Sequence, residues 1–406
     1  MVWVDVVRFG TYFTPTALLG VPYLAISLLS FVVGPLQGYI PLYTPSVIVW
    51  VAYLALFWMT GQIATAFLPD DMLHSLAPLD EVAARPTALM VAWVAIPILV
   101  YGTWSASSTL GFEAFHESEY RRMVTWGLMG HVLMLSIPVF IYLTGTTRPR
   151  NLLLCGGTSA LLLILMALRP TKSWVLLPLV AGFLCRIRIT GIRLSTKSLV
   201  VTLLAMYGFF NVSYLIAFGA TNSRVLTDPE MYRYLFLHAE DYLFAGVLGF
   251  STEMQEGNAF QDNHAAVYSS IMNLKAIALG DQYVGGIEDN FILIRPGTDG
   301  FRTNVHTLFG TLVMSVGYIE SAFYSIAMSI VAYAAFLASR RSRDVWVSVV
   351  WCVLGACLAF GWFSIYFAQF STFEILGFCF LLFIVERLFR KRTTQGVRFR
   401  RGIVEI

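Results

Sequence analysis

The chain is a string of long apolar segments broken once, between Ala220 and Asn304, by a polar and acidic stretch. An apolar run of about 20 residues crosses the hydrocarbon core of a bilayer as a helix, the form in which one segment satisfies its own backbone polar groups. Ten segments fit: 15–36, 46–67, 88–107, 123–145, 152–168, 174–189, 198–219, 306–338, 345–367 and 372–389. The segment 306–338 is long enough to hide a break near Gly317. Only 13% of residues are charged and 57% are hydrophobic, against roughly 25% charged in soluble domains. So little charge cannot cover a water-facing surface, and lipid is the expected solvent. The expected fold is all-α, a polytopic integral membrane protein of about ten transmembrane helices. Its expected parts are a membrane bundle of seven spans over 1–219, a large loop with short helices over 220–304, and C-terminal membrane helices with a basic tail over 305–406.

Lysine and arginine set the expected orientation. Arg148 and Arg150, the group Arg186, Arg188, Arg193 and Lys197, the run Arg340, Arg341 and Arg343, and the tail from Arg390 to Arg401 all fall on one side of the ten-span threading. Short loops rich in Lys and Arg stay cytoplasmic, which puts both termini inside and the long loop outside. That loop carries five basic residues (Arg224, Arg233, Lys275, Arg295, Arg302) against eleven acidic ones. Before the first apolar run Asp5 and Arg8 cancel, so no cleavable signal peptide is expected. The five cysteines all lie in apolar segments, where thiols act as small buried hydrophobes and neither a disulfide framework nor a metal site is expected.

The basic residues on the outer side are the candidates for chemistry. Arg121 and Arg122 follow the third span, Arg169 and Lys172 form a short turn between the fifth and sixth, and Arg295 and Arg302 close the long loop. Each can be a solvated interfacial anchor, its stem lying along the membrane. Several converging would instead make an anion site, with arginine offering a two-pronged fork to phosphate. Within the loop, the run from Met231 to Ala245 has apolar and aromatic residues at helical spacing, behind a helix start at Asp228-Pro229, and reads as an amphipathic interfacial helix. Residues 262–279 read as a second helix. Tyr232 and Tyr242 are suited to stacking on sugar rings and equally to anchoring the loop. His306, in Arg302-Thr-Asn-Val-His-Thr, is placed either as a base for a hydroxyl or as a helix cap that Asn304 or Thr303 could also supply. His131 stands among Met and Leu and reads as structural. Glu240, Asp241, Glu288 and Asp289 are rival bases. Glu320 and Glu374 lie in or beside spans, where a carboxylate is costly.

Three places carry a family resemblance: Tyr12-Phe-Thr-Pro-Thr-Ala-Leu-Leu-Gly; Leu168-Arg-Pro-Thr-Lys-Ser followed by Gly191-Ile-Arg-Leu-Ser-Thr-Lys-Ser; and Thr303-Asn-Val-His-Thr-Leu-Phe followed by Gly317-Tyr-Ile. The chain resembles the Wzy-type oligosaccharide repeat-unit polymerases, which are related to O-antigen ligases. It departs from the family pattern in carrying His306 where a tyrosine is expected, and Ser315 where an acidic residue is expected before Gly317. The resemblance implies a metal-independent, cofactor-free membrane glycosyltransferase of the GT-C type in the bacterial inner membrane. Its substrate would be an undecaprenyl-pyrophosphate-linked oligosaccharide, polymerised at the periplasmic face into O-antigen, capsule or exopolysaccharide. Partners of the implied system are the lipid bilayer, a Wzz-type chain-length co-polymerase and a Wzx-type flippase; nucleic acid has no place in it. On that reading Arg169, Lys172, Arg295 and Arg302, with Arg121 and Arg122, hold the leaving pyrophosphate. His306, Glu240, Asp241 or Glu288 activates or orients the acceptor, and Asn304, Tyr232 and Tyr242 contact sugar. The rivals are an O-antigen ligase and, from a different class, a lipid-linked oligosaccharide flippase or other transporter.

Overall fold

A computed structural model of the chain describes residues 1–74, 76–79, 84–111, 114, 117–145, 149–169, 173–191, several positions between 204 and 215, 228–257, 264–280, 291–297 and 300–402. Among the described residues nearly everything regular is helix. In chain order the helices are α1 (Val2–Phe9), α2 (Pro15–Val32), α3 (Thr44–Thr65), α4 (Asp70–His74), α5 (Arg85–Leu110), α6 (Ser118–Thr125), α7 (Gly127–Gly145), α8 (Pro149–Ala167), α9 (Ser173–Thr190), α10 (Pro229–Glu256), α11 (His264–Leu279), α12 (Leu308–Arg341), α13 (Val345–Ala359) and α14 (Phe370–Gly402). Five of them, α2, α3, α5, α7 and α12, are long and apolar enough to cross a membrane. The Leu153–Ala167 part of α8 and α13 are shorter apolar helices. Most of the expected seventh span, 198–219, lies outside the described residues.

The helices divide into two compact units, each assembled from separate stretches of chain. Unit 1 is Met1–Ser75, Thr227–Leu337 and Leu354–Phe373; unit 2 is Leu76–Leu226, Ala338–Val353 and Glu374–Ile406. The units are thus interleaved along the sequence, and the long loop falls within unit 1 together with the start of α12.

In unit 1, Thr14 caps α2 by accepting a hydrogen bond from the Ala17 amide at 3.3 Å, with Pro15 in the first turn. Trp50 is fully buried between Tyr23, stacked at 3.6 Å, and Phe309. The Asp228-Pro229 start of α10 is as expected, Asp228 accepting from the Glu230 amide at 3.0 Å. The stretch read as amphipathic is mostly exposed or half-exposed from Met231 to Leu243, and burial begins where it ends. Every residue from Phe244 to Glu253 is buried, so this half of the loop helix is protein core. Two glycines allow that close packing. A methyl group at Gly246 would meet the Trp362 and Phe363 carbonyls, and one at Gly249 the Val305 carbonyl. Beside α10 lies an antiparallel hairpin, β1 (Ile292–Arg295) with β2 (Phe301–Thr303), extended by the Ile40 amide donating to the Ile294 carbonyl at 3.0 Å.

Helix α12 is 34 residues long and breaks at Gly317 (φ 78°, ψ 176°), a backbone conformation open almost only to glycine. Its full length is about 51 Å at about 1.5 Å per residue, well beyond a hydrocarbon core of about 30 Å. Residues 318–341 alone are about 36 Å long and suffice to span. Burial changes at the same place. Leu308 to Ser315 are all enclosed by protein, whereas beyond the break Tyr318, Ile319, Phe323, Ile330 and Val331 are exposed, as on a lipid-facing helix.

In unit 2, α7 is the central element and packs on α5, α8 and α9. Small residues let the helices approach: a methyl group at Gly182 would strike the Thr144 hydroxyl, and one at Gly145 would strike Ile189 and Cys185. All five cysteines of the chain are buried and free.

Candidate functional site

A gathering of ionisable side chains lies in unit 1, along α10 and the elements that flank it. Asp241, 2% exposed, accepts from the Tyr39 hydroxyl at 2.8 Å through Oδ1 and from Arg295 Nη2 at 2.9 Å through Oδ2. The Arg295 guanidinium also lies over the Tyr39 ring, 5.6 Å from its centre. Residues 39, 241 and 295 come from three distant parts of the sequence, and the hairpin is the device that carries Arg295 to α10. Burial raises the Asp241 carboxyl above its ordinary value, against the pull of the Tyr39 hydrogen bond and the Arg295 charge. Glu240 is raised as well, by burial first and by the Asp241 charge second. One Glu240 oxygen, Oε2, is buried with no hydrogen-bond partner among the described residues.

Twelve positions further along α10, about 18 Å at about 1.5 Å per residue, Glu253 Oε2 lies 3.1 Å from His306 Nε2. Both side chains are almost fully enclosed, at 7% and 8% exposure. The contact is close but off the line of a straight hydrogen bond. His306 is not the cap of α12: Thr307 is, accepting from the Gly310 amide at 3.0 Å, while Thr303 accepts from the Val305 amide at 3.0 Å. A third pair joins His264, the first residue of α11, to Glu320 just past the Gly317 break, at 3.1 Å.

The aromatic candidates separate. Tyr242 is half-buried in a ring cluster with His238, Phe301 and Phe363, whereas Tyr232 is exposed in the first turns of α10. Asn304 is half-buried ahead of α12, and Arg302 is exposed on β2. Glu288, Asp289 and Lys172 lie outside the described residues.

Arg295 and Arg302 belong to unit 1, and Arg121, Arg122 and Arg169 to unit 2. Arg169, expected in a short external turn and there to meet the pyrophosphate, has no exposed surface, and its fork holds two backbone carbonyls, Val124 at 2.8 Å and Leu99 at 3.2 Å. Those carbonyls end α6 and line α5, so the guanidinium braces helices. Burial lowers its pKa to about 10, which still leaves it a cation at neutral pH. Arg121 and Arg122 are exposed on α6, with Arg122 over the Trp126 ring at 5.6 Å, as befits interfacial anchors. Arg188 in unit 2 also serves carbonyls, those of Ala77 and Ser339, both at 2.8 Å. His131 needs correction: it is not solitary, since its Nδ1 lies 2.5 Å from Glu374 Oε1. Sequence reasoning passed over Tyr39, Glu253 and His264. Only Glu253 carried a signal, as a carboxylate closing the otherwise uncharged run Phe244–Thr252.

Taken with its long apolar helices, this architecture defines a helical membrane-embedded protein whose ionisable side chains are concentrated around one folded loop. A model for a family of unknown function, DUF6337, matches residues 38–392, and the chain belongs to that family. No curated protein and no solved structure matches it. The family description names no activity, so a functional reading rests on the residues themselves.

Proposed function

We propose that the chain is a membrane glycosyltransferase that joins undecaprenyl-pyrophosphate-linked repeat units at the outer face of the bacterial inner membrane, in the manner of the Wzy-type polymerases it resembles. On this reading it threads ten spans with both termini cytoplasmic and has a GT-C-like arrangement. The observation that supports it best is the concentration of acid–base groups in unit 1. Asp241 with Arg295 and Tyr39, Glu253 with His306, and Glu320 with His264 are all brought together by the long loop and the helix it leads into.

The reaction asks two things of the protein. Positive charge must meet the leaving pyrophosphate, and a base must orient and deprotonate the acceptor hydroxyl. Arg302 is exposed for the first task, with Arg295 beside it once it exchanges Asp241 for the substrate. The histidine–carboxylate pairs suit the second. The rings of Tyr234 and His238, stacked at 5.2 Å, and of Tyr242 offer faces for sugar.

The test is deletion of the gene, with the membrane lipids extracted and the lipid-linked glycans sized. Accumulation of single repeat units with loss of long chains supports the reading; unchanged chain length overturns it. The broken helix α12 favours a second reading, because discontinuous helices line substrate sites in transporters. A lipid-linked oligosaccharide transporter would leave single units trapped on the cytoplasmic side, where an externally added glycan-modifying enzyme cannot reach them.

A further inference from the structure

Three histidine–carboxylate pairs stand among the described residues, and they differ in who can reach them. His306 and Glu253 are enclosed by protein at 8% and 7% exposure. His131 and Glu374 belong to unit 2. His264 and Glu320 are open, at 43% and 44%. The geometry points to Glu320 as the base that meets the acceptor hydroxyl of the incoming glycan, with His264 as its positioning residue; this rests on the glycosyltransferase reading above.

The break at Gly317 is what makes the position workable. In a continuous span from 306, Glu320 would stand near the middle of the bilayer, where a carboxylate is expensive. With Leu308–Ser315 enclosed in protein, a span that begins at about residue 318 would instead put Glu320 within one turn of its end, at the outer edge on the topology proposed above. The turn is pinned on both sides. The Ser321 hydroxyl donates to the Gly317 carbonyl at 2.5 Å, and the Tyr53 hydroxyl to the Tyr318 carbonyl at 2.7 Å. Opposite, α11 presents His264 and, one turn on, Tyr268, half-buried and within electrostatic range of Glu320. Tyr324, one turn beyond Glu320, is within the same range of Tyr268. Two helical faces thus oppose a carboxylate, an imidazole and two phenols across a half-open surface. Carboxylate and phenol oxygens beside aromatic faces are the chemistry that holds a sugar ring. A half-exposed pair of this kind contributes little to stability, so packing does not account for it.

In the step assigned here, the acceptor O–H bond breaks and its proton passes to the Glu320 carboxylate. The hydroxyl oxygen bonds to the anomeric carbon of the donor, and the bond from that carbon to the pyrophosphate oxygen breaks, the pyrophosphate leaving with the electron pair. His264 orients the carboxylate through its 3.1 Å contact.

The test labels carboxylates with a water-soluble carbodiimide and glycine ethyl ester, in membranes from cells that make the lipid-linked repeat unit and from cells blocked before it. Mass spectrometry reads the label. Glu320 is expected to label in blocked membranes and several-fold less in competent ones, while Glu253 labels in neither. No label on Glu320 in either, or equal label in both, overturns the assignment. In parallel, Glu320→Gln should accumulate at the wild-type level yet lose at least tenfold of its long-chain glycan, with partial recovery in Glu320→Asp; full-length chains from Glu320→Gln also overturn it. Failure of the parent reading looks different, since deletion of the whole gene then leaves chain length unchanged and removes the basis of this assignment with it.

Discussion

Units 1 and 2 give different partners to their buried arginines. In unit 1 two enclosed carboxylates face basic side chains, Asp241 meeting Arg295 and Glu253 meeting His306, while Asp5 is held by the neutral donors Tyr333, Trp58 and Gln62. In unit 2 the two most enclosed arginines of α8–α9 face backbone. Arg169 holds the carbonyls of Leu99 and Val124, and Arg188 those of Ala77 and Ser339. A guanidinium that ties together carbonyls from separate segments is a brace, supplying them with donors. A carboxylate buried against a cation, with a second carboxylate beside it, is poised to change its protonation and its partner. The lesson is that a basic residue in an apolar sequence identifies chemistry only once its acceptor is known.

That contrast can be broken most forcefully at Asp241. Asp241→Ala strands the Arg295 guanidinium and should cost about 3–5 kcal/mol, read as a lowered melting temperature in detergent. The double change Asp241→Leu with Arg295→Met should recover most of it. In unit 2, Arg169→Ala should cost about 3 kcal/mol, from two charge-assisted bonds to carbonyls. Here Arg169→Lys should not rescue, because one ammonium cannot bridge two acceptors as a fork does. Rescue by lysine would mean that the charge, not the brace, matters at 169. Gly317→Ala should cost about 1–3 kcal/mol through its left-handed backbone, and should lower turnover further by displacing Glu320 from His264.

The smallest effect is at Glu240, and it depends on pH. Its carboxyl is raised by burial and by Asp241, so folding favours the protonated form. The stability it contributes is therefore full below its ordinary value of 4.5 and is lost as pH rises through the raised value. Glu240→Gln should accordingly raise the melting temperature slightly at neutral pH and lose that advantage as the pH falls towards 4.5. A variant less stable than wild type at neutral pH would mean that the charge of Glu240 has a partner of its own.

The helical, membrane-embedded class was legible in the sequence, because long apolar runs declare themselves, and five of the ten expected spans are met by helices long and apolar enough to cross. So were the Asp228-Pro229 start of α10, a helix expected over 262–279 and found as His264–Leu279, and the break at Gly317, each signalled by a local residue preference. The hairpin was not, since runs of four and three residues are too short to display alternation. The burial of Phe244–Glu253 went unread, lying almost wholly beyond the amphipathic stretch 231–245, because hydrophobic spacing does not say whether lipid or protein covers a face. Of the site, Asp241, Arg295 and His306 could be named, but their partners could not. Tyr39 is 202 residues from Asp241, and Glu374 is 243 from His131, distances over which one sequence carries no pairing signal. Arg169 was legible as unusual and illegible in purpose, for the carbonyls it holds belong to every residue type alike.

The most direct measurement is product length from the purified protein in lipid nanodiscs, given undecaprenyl-pyrophosphate-linked single repeat units and no other protein. Wild type should build chains of many units, and Glu320→Gln, folded to the same extent, should leave the units single. Units that stay single with wild type, or chains of equal length from both proteins, would contradict the account.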